Sequence, residues 1–155
     1  MSITVHLPTQ HELTEMGRVT VEATIENLKD LLEAGEGGRS ANEVRRITVP
    51  NALIDTGASS LSLPSSLIRA LGLTKVSTRR TMSSKGPGQT DVYAIVRLTI
   101  AGRDCSLDVM EVPDGVPVLI GQVPLELLDF VVDPVNQRLI GNPAHGGEHV
   151  LEMYL

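Results

Sequence analysis

One carboxylate stands out as a group that could do chemistry: Asp55, which follows the apolar residues 52–54 and precedes Thr56, Gly57 and Ala58. The apolar run is typical of a buried strand. A carboxylate at its end is costly unless something compensates it, because desolvation disfavours the charged form. Thr56 can hydrogen-bond through its hydroxyl, and Gly57 allows a second backbone or a ligand to approach closely. The sequence therefore predicts an acid held at the floor of a cleft.

Composition narrows the class of protein that carries this acid. The 155 residues suit one domain, and with 41% hydrophobic but only 2% aromatic residues the core must be aliphatic. A net charge of −6 without a basic run argues against nucleic acid as a partner. Cys105 is the only cysteine, so no intrachain disulfide can form and a reducing compartment is expected. With no membrane-length apolar run and no secretory pattern at the N-terminus, the expectation is a soluble, cytoplasmic protein without a membrane partner.

Short β-patterned runs alternate with Gly and Pro along the chain, which predicts a mainly β domain with two or three short helices. The predicted helices cover residues 27–34, 64–71 and 124–128. The predicted strands cover residues 18–26, 44–54 with an interruption at Pro50, 61–63, 76–82, 90–100, 105–112, 116–120, 130–132 and 138–140.

Two of these segments accompany Asp55. The strands over residues 76–82 and 90–100 predict a long hairpin with a glycine-rich, mobile tip. The tip is formed by Ser84, Lys85, Gly86, Pro87 and Gly88. Further along, the buried strand over residues 116–120 ends in Val118-Leu119-Ile120-Gly121.

Asp55-Thr56-Gly57-Ala58, the apolar run ending in Gly121 and the hairpin between them resemble the retropepsin-like, single-lobe aspartic proteases that retroviruses encode and many bacteria carry. The resemblance covers residues 17–142 and implies a closed β-barrel with one to three short helices, active as a two-fold dimer. It also implies that a strand carrying Leu119, Ile120 and Gly121 passes beside the catalytic loop, where glycine is needed because two backbones crowd. Residues 1–16 form an N-terminal extension and residues 143–155 a C-terminal tail, each a candidate interface strand.

The implied activity is peptide-bond hydrolysis by a pair of Asp55 residues, one from each subunit, because one copy supplies only one of the two carboxylates. Thr56 would hydrogen-bond across the two-fold axis, and Gly57 would accept a hydrogen bond from an extended substrate. The hairpin would act as a flap that closes over the peptide. The implied partners are a second copy of the chain and a peptide or protein substrate, and no metal or cofactor is required.

Other interpretations compete with this one. The same fold could serve as a binding or dimerisation module with little or no proteolysis, and Asp-Thr-Gly could be a plain structural turn. Ser59-Ser60 and Gln122-Val123-Pro124 depart from the viral pattern, which leaves substrate specificity and inter-subunit contacts open.

Three further groups have simple structural interpretations. His145 and His149 are spaced to bind a metal on a helix, but Gly146-Gly147 makes a helix poor and favours a solvated tail. Cys105 is predicted to be a buried small hydrophobe. The pairs Arg45-Arg46 and Arg79-Arg80 are predicted to be exposed strand charges.

Overall fold

The computed structural model describes residues 18–154, so the predicted extension over residues 1–16 lies outside the described part, as does Leu155. The strands there are β1 (Val19–Asn27), β2 (Arg46–Ile54), β3 (Leu61–Pro64), β4 (Thr74–Ser83), β5 (Gly86–Ile100), β6 (Arg103–Val112), β7 (Leu119–Ile120), β8 (Phe130–Asp133) and β9 (Arg138–Gly141). The helices are α1 (Leu28–Gly35), α2 (Ser65–Leu71) and α3 (Gln122–Leu128), with 3-10 turns at Ala41–Glu43 and Pro143–His145. The predicted mainly β domain with short helices is confirmed. Within residues 18–154, every helix is too short or too polar to cross a membrane.

Seven strands form one sheet in the order β1-β2-β7-β3-β6-β5-β4, and β8 pairs with β9 in a separate hairpin. Strand β1 pairs with β2 and, through its last four residues, also with β5. The short β7 lies between β2, to which it is parallel, and β3, to which it is antiparallel. This topology brings the run that ends in Gly121 next to the strand that ends before Asp55.

The core enclosed by these strands is aliphatic, as the composition predicts. Its fully buried side chains include Ile25, Leu61, Leu98 and Ile120 from four different strands. Helix α3 adds Leu125 and Leu128, while Phe130 is the one aromatic among the buried core residues of the described chain. Cys105 is half-buried and packs against this core, where desolvation and the nearby Asp104 charge raise the pKa of its thiol to about 11.

Strand β2 continues through Pro50, although an interruption was predicted there. The register between β1 and β2 shifts at this point, so that Pro50 and Asn51 lie opposite the single residue Glu22. Such a bulge accommodates proline because the bulged position leaves one residue outside the regular hydrogen-bonded ladder.

The hairpin and the strand before Gly121 also differ from prediction. Gly86, Pro87 and Gly88 belong to β5 and pair with β4, so the turn is reduced to Ser84 and Lys85. Gly86 has φ +102, which a glycine adopts without strain, and this allows β5 to start directly after the turn. The predicted strand over residues 116–120 is reduced to β7, because only Leu119 and Ile120 have neighbours in register on both sides.

An ion pair between a buried carboxylate and an exposed arginine ties α1 to the start of β2. The Asp30 side chain is fully buried, and it accepts hydrogen bonds from the backbone N–H, Nε and Nη2 of Arg45 at 2.8–3.0 Å. The hydrogen bonds from Arg45 outweigh desolvation and lower the pKa of Asp30 to about 2. Arg46 pairs with the buried Glu26 at 3.2 Å. Arg45 and Arg46 are exposed, as predicted, but each also pairs with a buried carboxylate, which was not predicted.

A second buried carboxylate, Asp129, holds the segment that follows β9. It accepts hydrogen bonds from Asn142 Nδ2 at 3.1 Å and the Val150 N–H at 3.1 Å, and its Oδ2 lies 2.6 Å from His145 Nδ1. Burial would raise the pKa of Asp129, but these hydrogen bonds outweigh it and hold the pKa at about 2. The other ring nitrogen of His145 lies 2.6 Å from Glu152, so the predicted solvated tail is wrong at His145.

Candidate active site

Asp55 directly follows strand β2, and β7 runs parallel to the end of β2. The Leu53 N–H donates to the Val118 carbonyl at 2.8 Å and the Asp55 N–H donates to the Ile120 carbonyl at 3.0 Å. Because Ile54 and Ile120 are anchored in the core, the backbone that carries Asp55 is held from both sides. The half-buried Asp55 is the first residue beyond the regular strand.

The loop after Asp55 is a tight turn organised by the carboxylate itself. Asp55 Oδ1 accepts a hydrogen bond from the Gly57 N–H at 3.0 Å, and the Ala58 N–H donates to the Asp55 carbonyl at 3.0 Å. A Cβ on Gly57 would lie 3.2 Å from Asp55 Oδ1, which is a tight contact with the carboxylate. Thr56 is exposed, and its side chain makes no hydrogen bond to any other residue in the range 18–154.

Gly121 is required where the two motifs cross. A Cβ at this position would lie 2.6 Å from the Ala58 carbonyl oxygen and 2.7 Å from backbone atoms of Ser59 and Ser60. These are backbone atoms, so no side-chain rotation can relieve the clash. The crowding of two backbones that the resemblance implied is thus present in the fold.

Hydrogen bonds from the start of α3 hold the end of the same loop. The N–H groups of Gly121, Gln122 and Val123 donate to the carbonyls of Ser60, Ala58 and Ser59, respectively, each at 2.9 Å. Sequence reasoning missed these contacts. Their one local signal is Pro124, which lies in the first turn of α3. Proline in this position marks the start of a helix, where the first N–H groups have no partner within the helix and can donate to a neighbouring loop.

Asp55 keeps acceptor capacity that the loop does not use. Within residues 18–154 its carboxylate accepts one hydrogen bond, from the Gly57 N–H, whereas an ionised carboxylate has about four acceptor positions. The carboxylate is therefore placed to bind a water or a polar ligand as base or acid. The same part of the chain holds no cluster of three or more His, Cys, Asp or Glu residues suited to a metal ion.

The β4–β5 hairpin projects beyond the rest of the sheet. Strand β5 pairs with β6 only from Val92 onward, so residues 80–83 and 86–89 pair solely with each other. The Thr90 hydroxyl donates to the Glu111 carbonyl and ties the base of this arm to β6. Met82, near the tip, is 78% exposed.

Two cavities of the fold differ in whether they reach the Asp55 loop. One of about 670 Å³ lies between β1, the β5–β6 turn and the β8–β9 hairpin, and includes no residue of the loop 55–60. A smaller cavity of about 360 Å³ reaches Ser60 at the end of that loop and extends to the β4–β5 hairpin. Of these two cavities, the smaller reaches the Asp55 loop, at Ser60.

Comparison with known families agrees with this arrangement. The model of the aspartyl protease family matches residues 42–123, which is more than half of the chain and spans both Asp55 and Gly121. This chain belongs to the aspartyl protease family, of the retropepsin-like kind. A comparison with curated proteins finds no significant match.

Proposed function

We propose that this chain is an aspartic endopeptidase whose site is completed by a second copy, with Asp55 contributed by each subunit of a two-fold dimer. The observation that carries the proposal is an Asp55 carboxylate with unused acceptor capacity, on a loop clamped by β7 and α3. Family membership supports peptidase chemistry. One Asp-Thr-Gly occurs in these 155 residues, and the chemistry needs two carboxylates, so a partner has to supply the second.

In the proposed mechanism the two Asp55 side chains share one proton, because like charges a few ångströms apart do not both ionise readily. The ionised member takes a proton from a water lying between them, and the water oxygen attacks the scissile carbonyl carbon. The protonated member gives its proton to the carbonyl oxygen as the centre becomes tetrahedral. Collapse of this intermediate breaks the C–N bond, and the nitrogen leaves with a proton returned from the dyad.

The remaining site residues have supporting roles in this proposal. Thr56, exposed beside Asp55, hydrogen-bonds across the two-fold axis, while Gly57 and Ala58 present backbone groups to an extended substrate. The arm formed by residues 80–89 is the flap, which closes over the peptide and excludes water.

The proposal also covers the surroundings of the site. We take residues 17–142 as the protease domain, closed into a barrel through the β1–β5 pairing. Residues 1–16 and 143–155 are the candidate interface strands. A single cysteine favours a reducing compartment, which we take to be the cytoplasm.

The direct test is Asp55→Asn, assayed by cleavage of a random peptide library at mildly acidic pH. Hydrolysis should fall by about 10²- to 10⁴-fold, because the variant keeps the shape of the side chain but cannot exchange a proton. The exposed Asp104→Asn is the matched control and should retain full activity. Equal activity of Asp55→Asn and the unaltered protein would refute the mechanism. A folded dimer that cleaves nothing would favour the alternative, a binding or dimerisation module.

The shared site is tested by mixing subunits. Excess Asp55→Asn protein, added to the unaltered protein and allowed to exchange, should reduce activity by trapping active chains in heterodimers with one intact carboxylate. Undiminished activity per unaltered chain, with exchange verified by mass-tagged subunits, would exclude a site shared between copies.

A further inference from the structure

The end of the described chain, residues 149–154, is a segment without helix or strand structure, which we term the strap. Its large apolar side chains bury little surface, since Leu151 is 75% and Met153 is 70% exposed. Apolar burial, the main favourable term in folding, therefore contributes little to holding the strap in place. The strap depends on polar contacts instead, and the loss of one of them should free part of it.

Within residues 18–154, three hydrogen bonds attach the strap to the fold. The Val150 N–H donates to Asp129 Oδ2 at 3.1 Å, and His149 Nε2 donates to a carbonyl of α3 at 3.1 Å. The third contact is the one furthest along the chain, where Glu152 Oε1 lies 2.6 Å from His145 Nε2. This last contact alone holds the part of the strap that follows Val150.

His145 lies between two carboxylates that differ in exposure. Its Nδ1 is 2.6 Å from Asp129 Oδ2, and the Asp129 side chain is 8% exposed, whereas that of Glu152 is 80% exposed. A protonated ring donates from both nitrogens, but a neutral ring donates from one and accepts at the other. An unsatisfied buried acceptor costs more than an exposed one, which water can serve, so the remaining proton stays on Nδ1 beside Asp129. The Nε2 lone pair then faces the Glu152 carboxylate, and that contact is lost.

Other charged groups near His145 do not replace this contact. The guanidinium of Arg103 in β6 donates to main-chain carbonyls and stays charged at any pH at which proteins are folded. Glu148 contacts His145 through its backbone N–H, and Glu126 of α3 is hydrogen-bonded within its own helix. His149 donates to a carbonyl from Nε2, which a neutral ring can also do. Protonation of His145 is therefore the charge change to which the end of the strap responds.

The strap lies over a cavity of about 360 Å³. His149 and Leu151 line it from the strap, Leu127 lines it from α3, and residues 104–106 line it from β6. These β6 residues pair with β5 on one side only, because the pairing of β6 with β3 begins at Val109. Cys105, which is half-buried, is among them. Movement of Leu151 away from the cavity would therefore uncover a free strand edge and the thiol of Cys105.

We propose that the strap is a pH-dependent cover of this cavity, fastened to Glu152 while His145 is protonated and free to swing away when His145 is neutral. The step transfers one proton from His145 Nε2 to water and breaks the hydrogen bond to Glu152. Val150 keeps its bond to Asp129, so the movement begins at Leu151. The hydrogen bonds to Glu152 and Asp129 raise the pKa of His145 above 6.5, which places the opening above that pH. The inference does not depend on the proposed peptidase function.

The test uses the reaction of Cys105, the only cysteine, with 4,4′-dithiodipyridine from pH 5.5 to pH 10. At each pH the rate of Glu152→Ala is divided by that of the unaltered protein, which cancels the common increase of thiolate with pH. Below the transition the variant should react about threefold faster, because an exposed charged contact is missing. The ratio should fall to one with the midpoint at which the His145 ring titrates, followed by NMR. Glu148→Ala removes another exposed carboxylate near the strap and is the matched control, with a ratio of one throughout.

Three results would overturn the inference. A ratio of one at every pH would mean that the Glu152 contact does not cover Cys105. A raised ratio that stays constant while His145 titrates would mean that the strap does not respond to His145. Equal acceleration in Glu148→Ala and Glu152→Ala would reveal a general effect of removing negative charge, rather than the loss of a particular contact.

Discussion

The Asp55 loop and the two buried carboxylate sites use the same functional group in opposite ways. Asp30 accepts three hydrogen bonds from Arg45 alone, and Asp129 is contacted by Asn142, His145 and the Val150 N–H. Asp55 accepts one, from a glycine two residues away. The two buried carboxylates hold segments of the chain together, and the hydrogen bonds that do so lower their pKa values.

The backbone around Asp55, unlike its carboxylate, is fully engaged in hydrogen bonds. Around Asp55 the carbonyls of Ala58, Ser59 and Ser60 are all engaged by N–H groups at the start of α3. The loop is therefore rigid while its carboxylate remains available, which is the combination that a site for general acid–base chemistry requires. In the proposed function, the reactive carboxylate is therefore the one whose acceptors are left unused, and the two carboxylates saturated by hydrogen bonds are structural.

Of the substitutions that test this comparison, Gly121→Ala should have the largest effect, a loss of activity. The new methyl group would lie within 2.7 Å of three backbone atoms of the Asp55 loop, so the loop must move. A displacement of about 1 Å in a catalytic group costs about 10²-fold in rate, and we expect that loss in kcat/KM. Gly35→Ala is the control, because a Cβ there meets nothing within 4 Å. Activity equal to that of Gly35→Ala would show that the clamp does not position Asp55.

Asp30→Ala should lower the stability of the fold without lowering its activity. Removing the Asp30 carboxylate should cost about 1–3 kcal/mol, because its hydrogen bonds are lost while the Arg45 left behind is 44% exposed and can be solvated. We expect a lower urea midpoint but unchanged activity per folded molecule. Asp104→Ala, which removes an exposed carboxylate, should leave the midpoint unchanged. A loss of specific activity in folded Asp30→Ala would mean that the two carboxylate sites are coupled.

The pH dependence of stability should reflect the buried sites. Asp30 and Asp129 have pKa values lowered from 3.8 to about 2, so their contribution is complete above pH 3.8 and is lost as the pH falls through 2. The pKa of His145 is raised above 6.5 by its hydrogen bonds to Glu152 and Asp129. Its contribution is complete below pH 6.5 and is lost as the pH rises through the raised value. Thermal unfolding should show greatest stability between these limits.

The smallest expected effect is that of His145→Gln. The variant keeps a hydrogen-bonding group near Asp129 but cannot become positively charged, so the decline in stability above pH 6.5 should disappear. The acidic decline, which Asp30 and Asp129 cause, should remain. A variant with the same alkaline decline as the unaltered protein would assign that decline to another group.

Much of the fold is legible in the sequence because strand formation follows local hydrophobic alternation. Strands β1, β3 and β6 lie within a few residues of prediction, and Gly72 ends α2 in the left-handed conformation that glycine tolerates. Pro50 was misinterpreted because the bulge that accommodates it is a property of the pairing with β1. The predicted hairpin turn is too long, because Gly86, Pro87 and Gly88 are compatible with a paired strand next to a tight turn.

The sequence by itself determined the local chemistry of the loop: an apolar strand, one carboxylate, and Gly57 two residues after it. These are local features, and residue type alone decides them. Only the tertiary structure decided which charges are partnered, because that depends on strand register and helix placement. Arg45-Arg46 and Arg79-Arg80 are indistinguishable as dipeptides, yet Arg45 and Arg46 meet buried carboxylates of α1 and β1, whereas Arg79 and Arg80 lie on a projecting hairpin beside the Asp55 loop.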